Sequence, residues 1–169
     1  IGRFEPASEA DLFDVEYWSL EQAKLGRGDD RPLAGQVVAV TGGAGAIGAA
    51  TGAAFSRQGA EVALLDVDEE AVAAAADRIG GTTFQAGCDV TDARSVRHAF
   101  DRVCQTFGGI DIVVSNAGAA WQGRIGDVSE GVLRQSFELN FFAHQTVAQN
   151  AVRVMRAQGT GGVLLFNVS

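Results

Sequence analysis

A chain of 169 residues is long enough to bury the core of one domain. Its formal net charge of −8, with no basic run, argues against nucleic acid and against anionic membrane as partners. Hydrophobic residues make up 47% of the chain, much of it alanine, and there are 22 glycines, a composition that suits helices lying close against a sheet. No apolar stretch reaches the length of a membrane span, and no signal-peptide pattern opens the sequence. Cys88 and Cys104 show no metal or redox spacing and sit in apolar settings, so both are expected as buried free thiols in a reducing, cytoplasmic environment.

The first 33 residues differ in character from the rest. Ser8 and Asp11 form a helix-start pair, and Ala10, Phe13, Tyr17 and Leu20 recur at helical spacing. A helix is predicted over Glu9–Lys24, followed by a charged, turn-rich linker from Gly26 to Pro32. The organisation expected is an N-terminal helix and linker over 1–33, a possible joint to a preceding domain, and a nucleotide-binding domain over 34–169.

From Gln36 strand and helix patterns alternate. Val37–Thr41 is a short apolar run typical of a buried strand, and Ile47–Gln58 is a small-residue helix. Strand Glu61–Asp66 precedes a helix from Glu69 to Arg78 capped by Asp68; strand Thr82–Ala86 precedes a helix that opens at Thr91 or Asp92 and reaches about Thr106. Strand Ile110–Ser115, a long helix from Ser129 to about Ala157 and strand Gly162–Val168 complete the series. This rhythm predicts an α/β fold: right-handed crossovers and a Rossmann-like, doubly wound parallel sheet with helices on both faces, cut off after its fifth strand.

The connection after the first strand carries the most chemistry. Gly43, Gly45 and Gly48 stand in G-x-G-x-x-G spacing, and the same stretch reads Thr41-Gly42-x-x-x-Ala46-x-Gly48. Glycines let a backbone turn tightly and approach a pyrophosphate, and the helix that follows aims unpaired N–H groups and its positive dipole end at that anion. Asp66, at the end of the second strand, is placed to accept hydrogen bonds from an adenosine ribose. That carboxylate would repel the 2′-phosphate of NADP, and no Arg or Lys lies between Gly42 and Gly48 or directly after Asp66 to offset it. The expected cofactor is therefore NAD.

Further patterns fall at strand C-termini, where open parallel sheets bind ligands. They are Cys88-Asp89-Val90-Thr91-Asp92, Gly109 to Gly118 with its Asn116-Ala117-Gly118 exit, Phe137-Glu138-Leu139-Asn140 within the long helix, and Phe166-Asn167-Val168-Ser169. With Thr41–Gly48, these closely resemble the short-chain dehydrogenase/reductase family over about Leu33 to Ser169. One departure is visible: Ala46 stands where the family's turn usually has its middle glycine, which implies slightly altered packing.

The resemblance implies that Gly42, Ala44, Gly45 and Ile47 surround the pyrophosphate and nearby ribose, and that Asp66 binds the adenosine ribose with Val67 beside the adenine. It implies that Asp89 and Val90 contact the adenine ring, and that Asn116, Ala117 and Gly118 line the nicotinamide ribose. Asp89 as a helix-capping acid and Asn116 as a turn residue are the plainer alternatives, and Asp111 reads as structural. Asn140 is a poor choice for a helix interior. In the resembled family an asparagine there distorts the helix and supports a water-mediated proton relay to the catalytic lysine. His98 and His144 read as helix-surface or packing residues, since no partner pattern accompanies them.

The family transfers hydride between NAD(H) and an alcohol/carbonyl pair with a serine and a Y-x-x-x-K pair that follow the fifth strand. The single tyrosine, Tyr17, and single lysine, Lys24, lie upstream of the whole nucleotide fold and are not that pair. Ser169 matches the start of the family's N-x-S-S run, as the neighbour of the reactive serine or, with a one-place offset, as that serine itself. The chain as written is therefore expected to be inactive by itself and to leave Val163–Val168 as an exposed apolar edge. The opening segment, Asp11 to Leu25 followed by Pro32-Leu-Ala-Gly35, resembles the joint in bifunctional proteins that fuse a rhamnulose-1-phosphate-type aldolase to a C-terminal short-chain dehydrogenase. That implies a lactaldehyde-like substrate in sugar catabolism, while the short-chain dehydrogenase resemblance implies a homo-oligomer for the intact protein, assembled through helices that include the long one. A non-catalytic NAD(H)-binding module and a nucleotide-sugar epimerase or dehydratase stand as alternatives.

Overall fold

Five strands, all parallel, stand in the order β3-β2-β1-β4-β5 in the computed structural model, which describes residues 31–168. The helix expected over Glu9–Lys24 and the terminal Ser169 lie outside the described residues. The elements in chain order are β1 (Val37–Thr41), α1 (Ala46–Arg57), β2 (Glu61–Asp66), α2 (Glu69–Ile79), β3 (Thr83–Gly87), α3 (Ala93–Phe107) and β4 (Ile112–Ser115). They continue with α4 (Glu130–Phe137), a π-helical segment (Glu138–Phe142), α5 (Ala143–Gln158) and β5 (Val163–Phe166).

Alternation along the strands sorts the core into two layers. Val38, Val40, Val62 and Leu64 join Val72, Ala75 and Ala76 of α2 on one face of the sheet. Ala39, Ala63, Leu65 and Val113 join Val96, Phe100 and Val103 of α3 and Val147, Ala151 and Val154 of α5 on the other. With helices on both faces, every residue of β1 is buried, which is why that strand reads as an unbroken apolar run. This is the doubly wound parallel sheet that the alternation of elements predicted. Among the described residues no helix is long and apolar enough to cross a membrane.

Local chemistry sets the element ends. Asp68 accepts from the Ala71 N–H to start α2, Asp92 from the Arg94 N–H to start α3, and Ser129 from the Val132 N–H to start α4. Asp111 is structural, as expected: its Oδ2 accepts from the Val37 N–H at 2.8 Å, at the end of β1 away from the glycine turn.

The long helix from Ser129 is interrupted by a π-helical segment centred on Asn140, between α4 and α5, at the position where the family resemblance implied a distortion. One expectation needs correcting. Cys88 is buried, but Cys104 is only half-buried, packed at the margin of the core between the sheet and α3.

Candidate functional site

At the C-terminal ends of the strands, a crevice of about 430 Å³ opens between the turn after β1 and the loop after β4. This is where a reversal of strand order leaves room in a doubly wound sheet. The first two glycines of the turn do structural work. Gly42 adopts φ +66°, and a Cβ on Gly43 would stand 2.8 Å from Cβ of Leu64, so that residue is pressed onto the sheet instead of facing the crevice.

Gly45 stands at the N-cap of helix α1, and no side chain caps it. Its first N–H groups, those of Ala46, Ile47 and Gly48, therefore have no acceptor within the helix and point out of its end. The Ala44 N–H is already taken, donating to Asp66 Oδ2 at 2.9 Å, while Asp66 Oδ1 accepts from the Asp68 N–H at 3.1 Å. Asp66 is thus fixed beside the glycine turn, half-buried, with each oxygen keeping a free lone pair for a further donor. Uncapped N–H groups, an open Gly45 and a fixed carboxylate at one end are what a dinucleotide's diphosphate and ribose require. Ala46 is the first residue of α1, and no non-glycine residue among the described ones has positive φ, so alanine fits this turn without backbone strain.

The opposite wall is built on asparagines. Asn116 donates from Nδ2 to the carbonyls of Thr41 and Gly42, and its Oδ1 accepts from Asn167 Nδ2 at 2.8 Å. Its backbone N–H donates to Thr41 Oγ1. The side chain therefore ties β1, β4 and β5 together, and Ala117 and Gly118 present the following backbone to the crevice. Asn140 clasps the same loop: Oδ1 accepts from the Ala119 N–H, and Nδ2 donates to the Ala119 carbonyl and to Ser136 Oγ. Its amide is satisfied by neighbours, and the helix around it widens to π geometry, a deviation often found at functional sites.

The structure brings Gly42, Gly45, Ile47, Asp66, Asn116, Ala117, Gly118 and Asn140 to one crevice. Ala44, Val67, Asp89 and Val90 stand outside its lining. Ala44 serves as the donor to Asp66, and Val67 is 71% exposed beside it. Asp89 holds the Thr91 N–H and hydroxyl with Oδ1, closing a local turn just ahead of α3, whose cap is Asp92. Val90 buries its side chain in the core, leaving only backbone to offer. The buried Cys88 thiol is pushed up to about 12 by burial and then by the Asp89 and Asp66 carboxylates, so it offers no nucleophile here.

Sequence reasoning missed two contributors. Asn167 reaches the crevice from the end of β5, and His144, read as a packing residue, is both buried and part of the lining. Its place one turn after Asn140 was the available signal, because residues four apart share a helix face.

Comparison with known proteins agrees with this geometry. A family described as short chain dehydrogenase matches residues 36–169, and the chain belongs to the short-chain dehydrogenase family. Residues 1–25 match a second family, described as aldolase class II, second domain. The uncharacterized oxidoreductase YuxG of Bacillus subtilis is 32% identical over 98% of this chain and 25% of its own length. D-threitol dehydrogenase of Mycolicibacterium smegmatis is 44% identical over 54% of this chain and 36% of its own. A short-chain type dehydrogenase/reductase from Mycobacterium marinum superposes with a TM-score of 0.78 at 31% identity, covering 82% of this chain and 57% of that one. The chain thus spans between a quarter and about three-fifths of the length of these relatives.

Proposed function

We propose that residues 34–169 are the cofactor-binding half of an NAD(H)-dependent oxidoreductase that interconverts a small alcohol and its carbonyl. The observation that carries this reading is the pairing of uncapped α1 N–H groups with the Asp66 carboxylate in one crevice whose lining, among the described residues, contains no lysine or arginine. NAD, when bound, supplies the hydride acceptor. The chain's own part is to hold the diphosphate at Gly45–Ile47, the adenosine ribose at Asp66, and the reacting end against the loop of Asn116, Ala117, Gly118 and Asn140. Val67, Asp89 and Val90 would flank the adenine through exposed side chain and backbone. The small polyol in the name of the Mycolicibacterium relative supports a short hydroxylated substrate such as lactaldehyde's alcohol.

A preceding aldolase domain, with residues 1–33 as the joint, is supported by the match of residues 1–25 and by the low share of the Bacillus relative that this chain spans. Reading the coding sequence on both sides of residues 1–169 tests that arrangement. It also shows whether a serine and a Y-x-x-x-K pair follow, without which turnover is not expected.

Titration of the chain with NADH and NADPH tests the cofactor reading. At about 4 Å, two unit charges repel by about 1 kcal/mol in bulk water and about 4 at an effective dielectric of 20. For the half-buried Asp66 an NADH preference of roughly 10–100-fold follows. Asp66→Asn should reduce that preference at least tenfold; NADPH binding as tightly as NADH to the unaltered chain would refute the assignment.

A further inference from the structure

His144 is the most fully committed polar side chain that the reading above leaves without a role. It is 8% exposed, on the first turn of α5, and it lines the crevice. Its Nδ1 lies 2.6 Å from Oγ of Ser115, the buried last residue of β4. Its ring stands edge-on to Phe166, the last residue of β5, with centroids 6.0 Å apart. The next residue, Asn167, donates to Asn116, and Asn116 in turn holds the carbonyls of Thr41 and Gly42. One imidazole therefore links the helix beyond Asn140 to the ends of two strands, and through Asn167 to the base of the glycine turn.

Position in the sheet says which part of a ligand this assembly meets. Asp66 ends β2, whereas His144 braces the ends of β4 and β5 on the far side of β1. At about 4.8 Å between neighbouring strands, these ends lie roughly 10 to 14 Å from that of β2. A mononucleotide held at Asp66 does not span that interval, and a dinucleotide does. The contacts shown around the ring are neutral: the Ser115 hydroxyl from β4 and the Phe166 ring from β5. Burial alone holds the imidazole below its ordinary value, so it is uncharged near neutrality. With Nδ1 engaged by Ser115, Nε2 is the nitrogen it has left for the crevice.

The geometry points to His144, braced by Ser115, as a positioning residue for the reacting half of the bound dinucleotide. It fixes the β4 and β5 ends, and hence Asn116 and Asn167, at the wall that this half must contact. The inference rests on the dinucleotide reading, and the test separates the two.

Affinities of the full 169-residue chain for NADH and for AMP are measured by calorimetry, with thermal unfolding as the check on folding. AMP reports the Asp66 end alone. Ser115→Ala and His144→Phe should weaken NADH about 5- to 10-fold, the loss of roughly one hydrogen bond, and leave AMP within twofold. His144→Asn, whose amide still reaches toward Ser115, should recover most of the NADH affinity lost in His144→Phe. An unchanged NADH-to-AMP affinity ratio in folded Ser115→Ala overturns the inference, as does equal weakening of both ligands, which marks a merely structural pair. Should the unaltered chain bind neither nucleotide, the dinucleotide reading itself falls, and this inference with it.

Discussion

Two glycines three residues apart make opposite predictions. A Cβ on Gly48 would stand 2.1 Å from the Gly42 carbonyl oxygen and 2.8 Å from its carbon, both backbone atoms that have no rotamer to escape into. Gly48→Ala must therefore displace the turn or the start of α1, an overpacking cost of about 1–3 kcal/mol. A Cβ on Gly45 meets only the Gly42 oxygen, at 3.4 Å, and the residue sits at φ −69°, ψ 159°, where alanine is unstrained. Gly45→Ala should leave stability within about 0.5 kcal/mol, since a slightly poorer helix cap is offset by a stiffer unfolded chain. Its methyl group, however, points into the space where the diphosphate must come to meet the α1 N–H groups. Losing one charge-assisted hydrogen bond costs about 1.5–3 kcal/mol, so NADH should bind roughly 10- to 150-fold more weakly. Thermal unfolding and calorimetric titration of both variants are the assay. A folded Gly45→Ala chain that binds NADH within twofold of the unaltered one refutes the cradle, and a Gly48→Ala chain of unchanged stability refutes the close packing.

Other outcomes follow from burial and charge. Under native conditions a thiol reagent should label the half-buried Cys104 well before Cys88, whose thiol is buried and pushed up to about 12; denaturant should equalise them, and prior labelling of Cys88 would contradict its burial. Since burial holds folded His144 below the 6.5 of an ordinary imidazole, its contribution to stability is complete above pH 6.5 and is lost as pH falls through the folded value. Chemical denaturation at pH 7.5 and 5.5 should show the drop, and His144→Asn should reduce it. For Asp101, burial opposes ionisation, but hydrogen bonds and charge from Arg153 and then Arg97 outweigh it and hold the carboxyl below its usual value. That stability is present above pH 3.8 and lost at more acid pH; because the pair is part-exposed, Asp101→Asn should cost under about 1 kcal/mol at pH 7.

The sheet was legible because each strand announces itself in its own residues. Val37–Thr41 and Glu61–Asp66 are apolar runs between turn signals, and Asp68, Asp92 and Ser129 are caps of the expected type at the expected places. The glycine turn was legible for the same reason, although spacing alone did not divide the labour within it. That Gly43 packs on Leu64 while Gly45 stays open depends on where β2 lies, which is a tertiary fact. Asp89 shows the same limit. Its spacing fits a ligand contact and a local turn equally well, and only the position of Thr91 shows where Oδ1 is engaged.

The helix from Ser129 onward marks where periodicity stops being informative. Its apolar positions keep helical spacing throughout, so nothing in the pattern reveals five residues of π geometry. What reveals them is Asn140, whose amide is spent on both backbone groups of Ala119 across the crevice. A helix that must reach sideways to clasp a loop does so most cheaply by widening for one turn, and the widening turns the following face by part of a turn. His144 begins the regular helix just past that change and falls against Ser115 and Phe166. The polar wall of the crevice is therefore a consequence of the distortion: a regular helix would have carried His144 to a different bearing relative to β4 and β5. Asn140→Ala should therefore release the Ala119 backbone, read as faster hydrogen exchange of the Ala119 N–H, while leaving the β1–α1 turn and its anion-binding N–H groups in place.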